Sequence, residues 1–100
     1  MLRRFEWDAV KAAGNRRKHG VSFDTASLVF ADPLALSRLS HIEDGEERWQ
    51  TLGTVSGQLL LLVAHTVREE EDEQPIEVIR IISARKADKK ERFRYAQETR

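Results

Sequence analysis

The 100 residues contain no cysteine, which rules out disulfides, thiolate metal ligands and a cysteine nucleophile. Long apolar runs are missing too. The longest, Leu59 to Ala64, has six residues, against the roughly 20 that a membrane-spanning helix needs. The opening Met1-Leu2-Arg3-Arg4-Phe5 has no signal-peptide apolar region, so a cytoplasmic location is expected. There is no glycine-rich phosphate loop and no serine in a nucleophile-elbow setting. The three histidines, His19, His41 and His65, fall on separate predicted elements, so no metal site and no cofactor are expected. An excess of charge of either sign is also lacking, since 17 basic residues balance 17 acidic ones.

The charges that are present are unevenly placed. Residues 1–20 and 76–100 are each basic by four, and residues 21–75 are acidic by eight. Folding can therefore gather positive ends onto one side, although ordinary solvated faces would give the same count. A hundred residues is expected to form one domain, residues 1–100, with a single core. Phe5-Glu6-Trp7 reads as an apolar anchor before a helix that Asp8 caps and Gly20 ends. Ser22 caps a second helix, stopped by Asp32-Pro33. Four strands follow: Leu34–Leu39, Arg48–Thr54, Leu59–Thr66 and Ile76–Ser83. His41 to Glu46 and Glu69 to Pro75 read as acidic loops. Asp88 then caps a last helix, Lys89 to about Glu98. The pattern predicts an α+β domain: two N-terminal helices, a four-stranded antiparallel sheet and a C-terminal helix.

The residues that can carry chemistry concentrate in the last third. Ile79-Arg80-Ile81-Ile82-Ser83-Ala84-Arg85-Lys86 delivers arginines within and at the end of a strand, just before a helix start. Cations so placed suit a phosphate. Alternation puts Arg48 with Gln50 and Leu52, His65 with Leu61 and Val63, and Arg80 with Val78 and Ile82. An Arg48–His65–Arg80 cluster requires these three faces to coincide. His65, the one histidine within a strand, has an ordinary pKa near 6.5 suited to proton transfer; the competing reading is a satisfied core histidine. Arg80 has a competing reading as a salt-bridge partner of Glu47 or Glu46. Tyr95 is either a phosphate donor or an aromatic core contact.

Several of these segments together resemble a known family. Phe5-Glu6-Trp7-Asp8, Asn15 with Lys18-His19-Gly20-Val21, and Phe30 with Asp32-Pro33 resemble the opening of the BrnT toxins. Glu47-Arg48-Trp49, His65-Thr66 with Arg68, and Arg80 to Ala87 with Glu91-Arg92 and Tyr95 continue the resemblance nearly to the end of the chain. The likeness implies a RelE-like fold and a type II toxin that cleaves RNA and arrests growth. It also implies a BrnA-like ribbon-helix-helix antitoxin as partner, with DNA reached only through that partner. In this reading Arg48, Arg80 and Arg85 stabilise charge, His65 is general acid or base, and Glu47 is a second proton carrier or orients Arg48. Lys18, His19 and Tyr95 are candidate RNA-binding residues. No metal is required. The alternative is a catalytically degenerate homologue that acts as an antitoxin-binding co-repressor or a protein-binding module. Glu69-Glu70-Glu71-Asp72-Glu73 departs from the family pattern as an enlarged acidic loop.

Overall fold

The computed structural model describes residues 2–100. Asp8 accepts from the Lys11 amide and starts helix α1 (Ala9–His19). Gly20, at φ 72°, ends it in the left-handed conformation that costs glycine least. Ser22 caps the short helix α2 (Phe23–Ser27), which tightens into a 3₁₀ turn (Leu28–Ala31) before Pro33. The sheet comprises β1 (Leu2–Glu6), β2 (Leu36–Glu43), β3 (Glu46–Val55), β4 (Leu59–Glu71) and β5 (Pro75–Lys86), in the order β1-β5-β4-β3-β2. Helix α3 (Lys89–Glu98) closes the described chain with a complete capping box between Asp88 and Glu91.

Three expectations need correction. The sheet has five strands and is mixed, because residues 2–6 form β1, which pairs parallel to β5 from Leu2 opposite Ile76 to Glu6 opposite Arg80. A five-residue strand recruited by a partner some 70 positions away leaves almost no local signal. The acidic stretch His41–Glu46 is a hairpin, not an open loop. Asp44 and Gly45, at φ 52° and 78°, make a two-residue turn of the kind that Asp-Gly favours. The acidic Glu69–Pro75 segment is mostly strand as well; β4 runs to Glu71 and β5 begins at Pro75, with only Asp72–Gln74 turning.

Two layers cover the sheet unequally. On one face α1, α2 and the 3₁₀ turn bury Val21, Phe23, Ala26 and Val29 against Leu61, Val63, Ile79, Ile81 and Ala84. The other face carries only α3, whose Tyr95 packs with Leu36, Leu52, Leu60, Leu62 and Ala87 at one end. The remainder of that second face is open and holds the charged residues.

Beyond the end of β1 the outer edge of β5 would be left unpaired. Asn15, buried on α1, occupies it. Its side-chain amide donates to the Ala84 carbonyl (2.8 Å) and the Val21 carbonyl (3.1 Å), and its oxygen accepts from the Ala84 amide (3.1 Å). One side chain thus substitutes for a strand.

Candidate active site

Two irregularities in the sheet decide which side chains meet. Ile82 has no partner in the β4–β5 register, where His65 faces Ile81 and Ala64 faces Ser83. Ser40 is likewise skipped between Leu39 and His41 in the β2–β3 register. Each extra residue reverses the alternation beyond it. The first puts Arg80, Ser83 and Arg85 on one face, where simple alternation would separate Ser83 and Arg85 from Arg80. The second turns His41 and Glu43 toward that same open face. Arg48 and Glu46 reach it by ordinary alternation on β3.

Arg48 and Arg80 consequently converge. Arg80 Nη2 lies 2.7 Å and Arg48 Nη2 3.3 Å from the same atom, Glu46 Oε1. Arg48 Nη2 is also 3.2 Å from Glu43 Oε2. Arg48 is the more enclosed of the two, with 19% of its side chain exposed against 40% for Arg80. The Arg48 Nε atom is buried without a hydrogen-bond acceptor, so the site has donor capacity left to use. Both arginines line an open cleft of about 730 Å³ between the β2–β3 turn and the start of α1, with Trp7 and Lys11 on the far wall. Glu6, Asp8, Glu43, Asp44 and Glu46 line it too, so carboxylates outnumber cations there. Next to the cleft, Arg68 binds Glu6 and Glu70, and Arg4 binds Glu70 (2.8 Å). By register this lattice lies over Val78, which is fully buried.

The other predicted site residues are elsewhere. His65 is on the helix-covered face, opposite Trp49, with the Phe30 ring edge-on at 4.8 Å. It is 3% exposed. Its Nε2 shares a hydrogen bond with Thr51 Oγ1 (2.7 Å), which in turn bonds Ser37 Oγ (2.7 Å). Burial pushes its pKa down to about 4, so the ring is neutral at neutral pH. Glu47 is on that face as well, near Trp49 and His65. The expected meeting of Arg48, His65 and Arg80 is therefore correct for the two arginines and not for the histidine.

Arg85 reaches the open face but is held by Glu91 through two bonds of 2.8 and 2.9 Å. That pairing holds the Glu91 carboxyl below its usual range. Five residues of strand place Arg85 roughly 15 Å from Arg80. The Tyr95 hydroxyl donates to Asp32 Oδ2 (2.7 Å), which also accepts from the Thr54 amide (2.8 Å). Burial alone would raise the Asp32 pKa, but these bonds outweigh it and hold the carboxyl low. Lys18 and His19 end α1 and lie about 10 Å along the helix beyond Lys11, the α1 residue that lines the cleft. Neither Glu46 nor Lys11 is a site residue in the sequence reading. The Asp44-Gly45 turn was the available signal, because a two-residue hairpin sets Glu43 and Glu46 opposite one another.

Among the described residues no group of three or more His, Asp or Glu side chains is arranged to hold a metal ion, and no helix is long and apolar enough to cross a membrane. A search of curated proteins finds no match. A crystal structure of the Brucella abortus ribonuclease toxin BrnT shares the fold, with a TM-score of 0.55 and 18% identity, covering 89% of this chain and all of that one. The sequence profile of the ribonuclease toxin BrnT of type II toxin–antitoxin systems matches residues 7–91. With that match spanning both arginines of the cleft and the β2–β3 hairpin beside them, the chain belongs to the BrnT family of ribonuclease toxins.

Proposed function

We propose that the chain is a metal-independent endoribonuclease that arrests growth by cleaving RNA, with Arg48 and Arg80 holding the scissile phosphate. One observation carries this reading: two guanidinium groups converge on a single carboxylate oxygen, Glu46 Oε1. Such a pair is built for an anionic oxygen and becomes more effective as charge grows on phosphorus in the transition state. The reaction needs no covalent enzyme intermediate, since the RNA 2′-hydroxyl is itself the nucleophile. The family makes an antitoxin the expected class of partner. In this reading it is a BrnA-like ribbon-helix-helix protein that covers the cleft in the cytoplasm and supplies any DNA contact.

The test is Arg80→Ala. Because Arg80 is partly exposed, its ion pair contributes about 1 kcal/mol or less to stability, and the melting midpoint should barely move. Loss of a donor to the transition state should lower cleavage of a short unstructured RNA by about 100- to 1,000-fold, with growth arrest abolished. Cleavage by the wild-type chain should persist in excess EDTA. A large fall in the midpoint, or full activity without Arg80, would remove this residue from the site.

A second reading, a degenerate homologue acting as co-repressor, is favoured by the five carboxylates that line the same cleft. It predicts antitoxin binding with no growth arrest by the wild-type chain.

A further inference from the structure

The cleft holds two phosphate-binding cations but neither of the proton carriers expected from the sequence, because His65 and Glu47 face the other side of the sheet. We infer that Glu46 is the general base of this site. The inference rests on the reading of Arg48 and Arg80 as the phosphate clamp and names the group that completes it.

Three observations lead to Glu46. Among the described residues it is the one carboxylate that touches both arginines, at 2.7 and 3.3 Å. Glu43 reaches only Arg48, from a more exposed position. Glu46 also stands at a fixed point, the first residue after a two-residue turn and opposite Glu43 in the register. Finally, the sheet irregularities at Ser40 and Ile82 aim Glu43 on β2 and Arg80 on β5 into the same cleft that Glu46 enters by ordinary alternation.

In the free protein the Glu46 carboxylate occupies the place of an anionic oxygen between the guanidinium groups. When an RNA phosphate takes that place, Glu46 is displaced by about the width of one oxygen layer and remains beside it, within reach of the adjacent 2′-hydroxyl. The step then balances without any further reactant but water. The 2′-hydroxyl proton passes to the Glu46 carboxylate as the 2′-oxygen–phosphorus bond forms. The bond from phosphorus to the 5′-oxygen breaks, and its electron pair leaves with that oxygen, which takes a proton from water. The products are a 2′,3′-cyclic phosphate and a 5′-hydroxyl, and Glu46 returns its proton to solvent.

Glu46→Gln separates this role from the others that an acid beside two arginines can have. The full-length variant is compared with the wild type in binding a 2′-O-methyl oligonucleotide, which cannot react, and in single-turnover cleavage of the matching RNA. The expected result is binding unchanged or tightened, cleavage lowered by about 100- to 10,000-fold, and loss of the acidic limb of the pH–rate profile. Glu46→Asp, which keeps the base on a shorter stem, should recover part of the rate. If binding and cleavage fall together, Glu46 only positions the arginines. If both rise, it only blocks them. Either outcome overturns the inference, as does full activity of Glu46→Gln. Failure here is distinct from failure of the clamp: an active Arg80→Ala, or a wild-type chain that leaves the RNA intact, overturns the proposed function itself.

Discussion

Burial holds the His65 imidazole neutral far below the pH at which a free histidine titrates, and this couples stability to acidity. Its pKa falls from 6.5 to about 4 on folding. Between those values the unfolded chain binds a proton that the folded chain refuses, so stability is complete above about pH 6.5 and declines as the pH drops toward 4. The decline is at most about 1.4 kcal/mol per pH unit. Urea unfolding at pH 7 and pH 4.5 should show this loss in the wild type, and His65→Gln should lack that share of it. The same burial predicts that His65→Gln keeps whatever titration limb the cleavage rate shows near neutrality. The sequence presented His65 as a strand histidine with two readings, and alternation correctly grouped it with Leu61 and Val63. What it does not reveal is the relative register of neighbouring strands, on which the choice depends. Arg80 was legible as a candidate because a cation in an apolar β-forming run is costly unless it serves a partner, and Arg48 through strand alternation and the Glu47-Arg48-Trp49 resemblance. Glu46 was weighed only as an ion partner of Arg80, since nothing local distinguishes it as a base.

Individual elements are joined by a few close contacts that carry more weight than their size. Gly53 on β3 lies where the 3₁₀ turn crosses the sheet, and an added Cβ would meet Val29 Cγ1 at 2.8 Å and the Val29 carbonyl oxygen at 3.2 Å. Gly53→Ala must push that turn outward and should cost about 1–3 kcal/mol. Asn15→Ala removes the surrogate strand from β5 and leaves the Ala84 amide and carbonyl unsatisfied, a loss on the order of 3 kcal/mol. Chemical denaturation checks both, and each variant should keep RNA cleavage wherever it is folded. The helices were legible at this scale because Asp8, Ser22 and Asp88 announce their starts within a few residues. So were β3 and the apolar heart of β4. The edges were not. β1 has no periodicity long enough to detect, and the arms of the β4–β5 hairpin imitate a loop because they carry charged residues, such as Arg68, which pairs with Glu6 on β1, where a strand signal would need apolar alternation.

Across the whole molecule the charges cancel in number. Acids and bases interleave on the open face, and the described arginines of the cleft already have carboxylate partners. RNA binding should therefore depend weakly on salt. Two phosphate contacts imply a slope of about −1.4 for the logarithm of the binding constant against that of salt concentration, and a titration from low to moderate salt would expose any larger basic footprint. The parallel pairing of β1 with β5 has another consequence, one of timing. Residues 2–6 are made well before their partners, residues 76–80, and the Arg80 that completes the cleft with Arg48 and Glu46 belongs to that same later strand. Contacts so distant along the chain form slowly and cannot form at all before the later strand is available. A nascent chain therefore carries no assembled cleft until the strand that holds Arg80 has been made, and an antitoxin already present has all the time before that in which to be waiting.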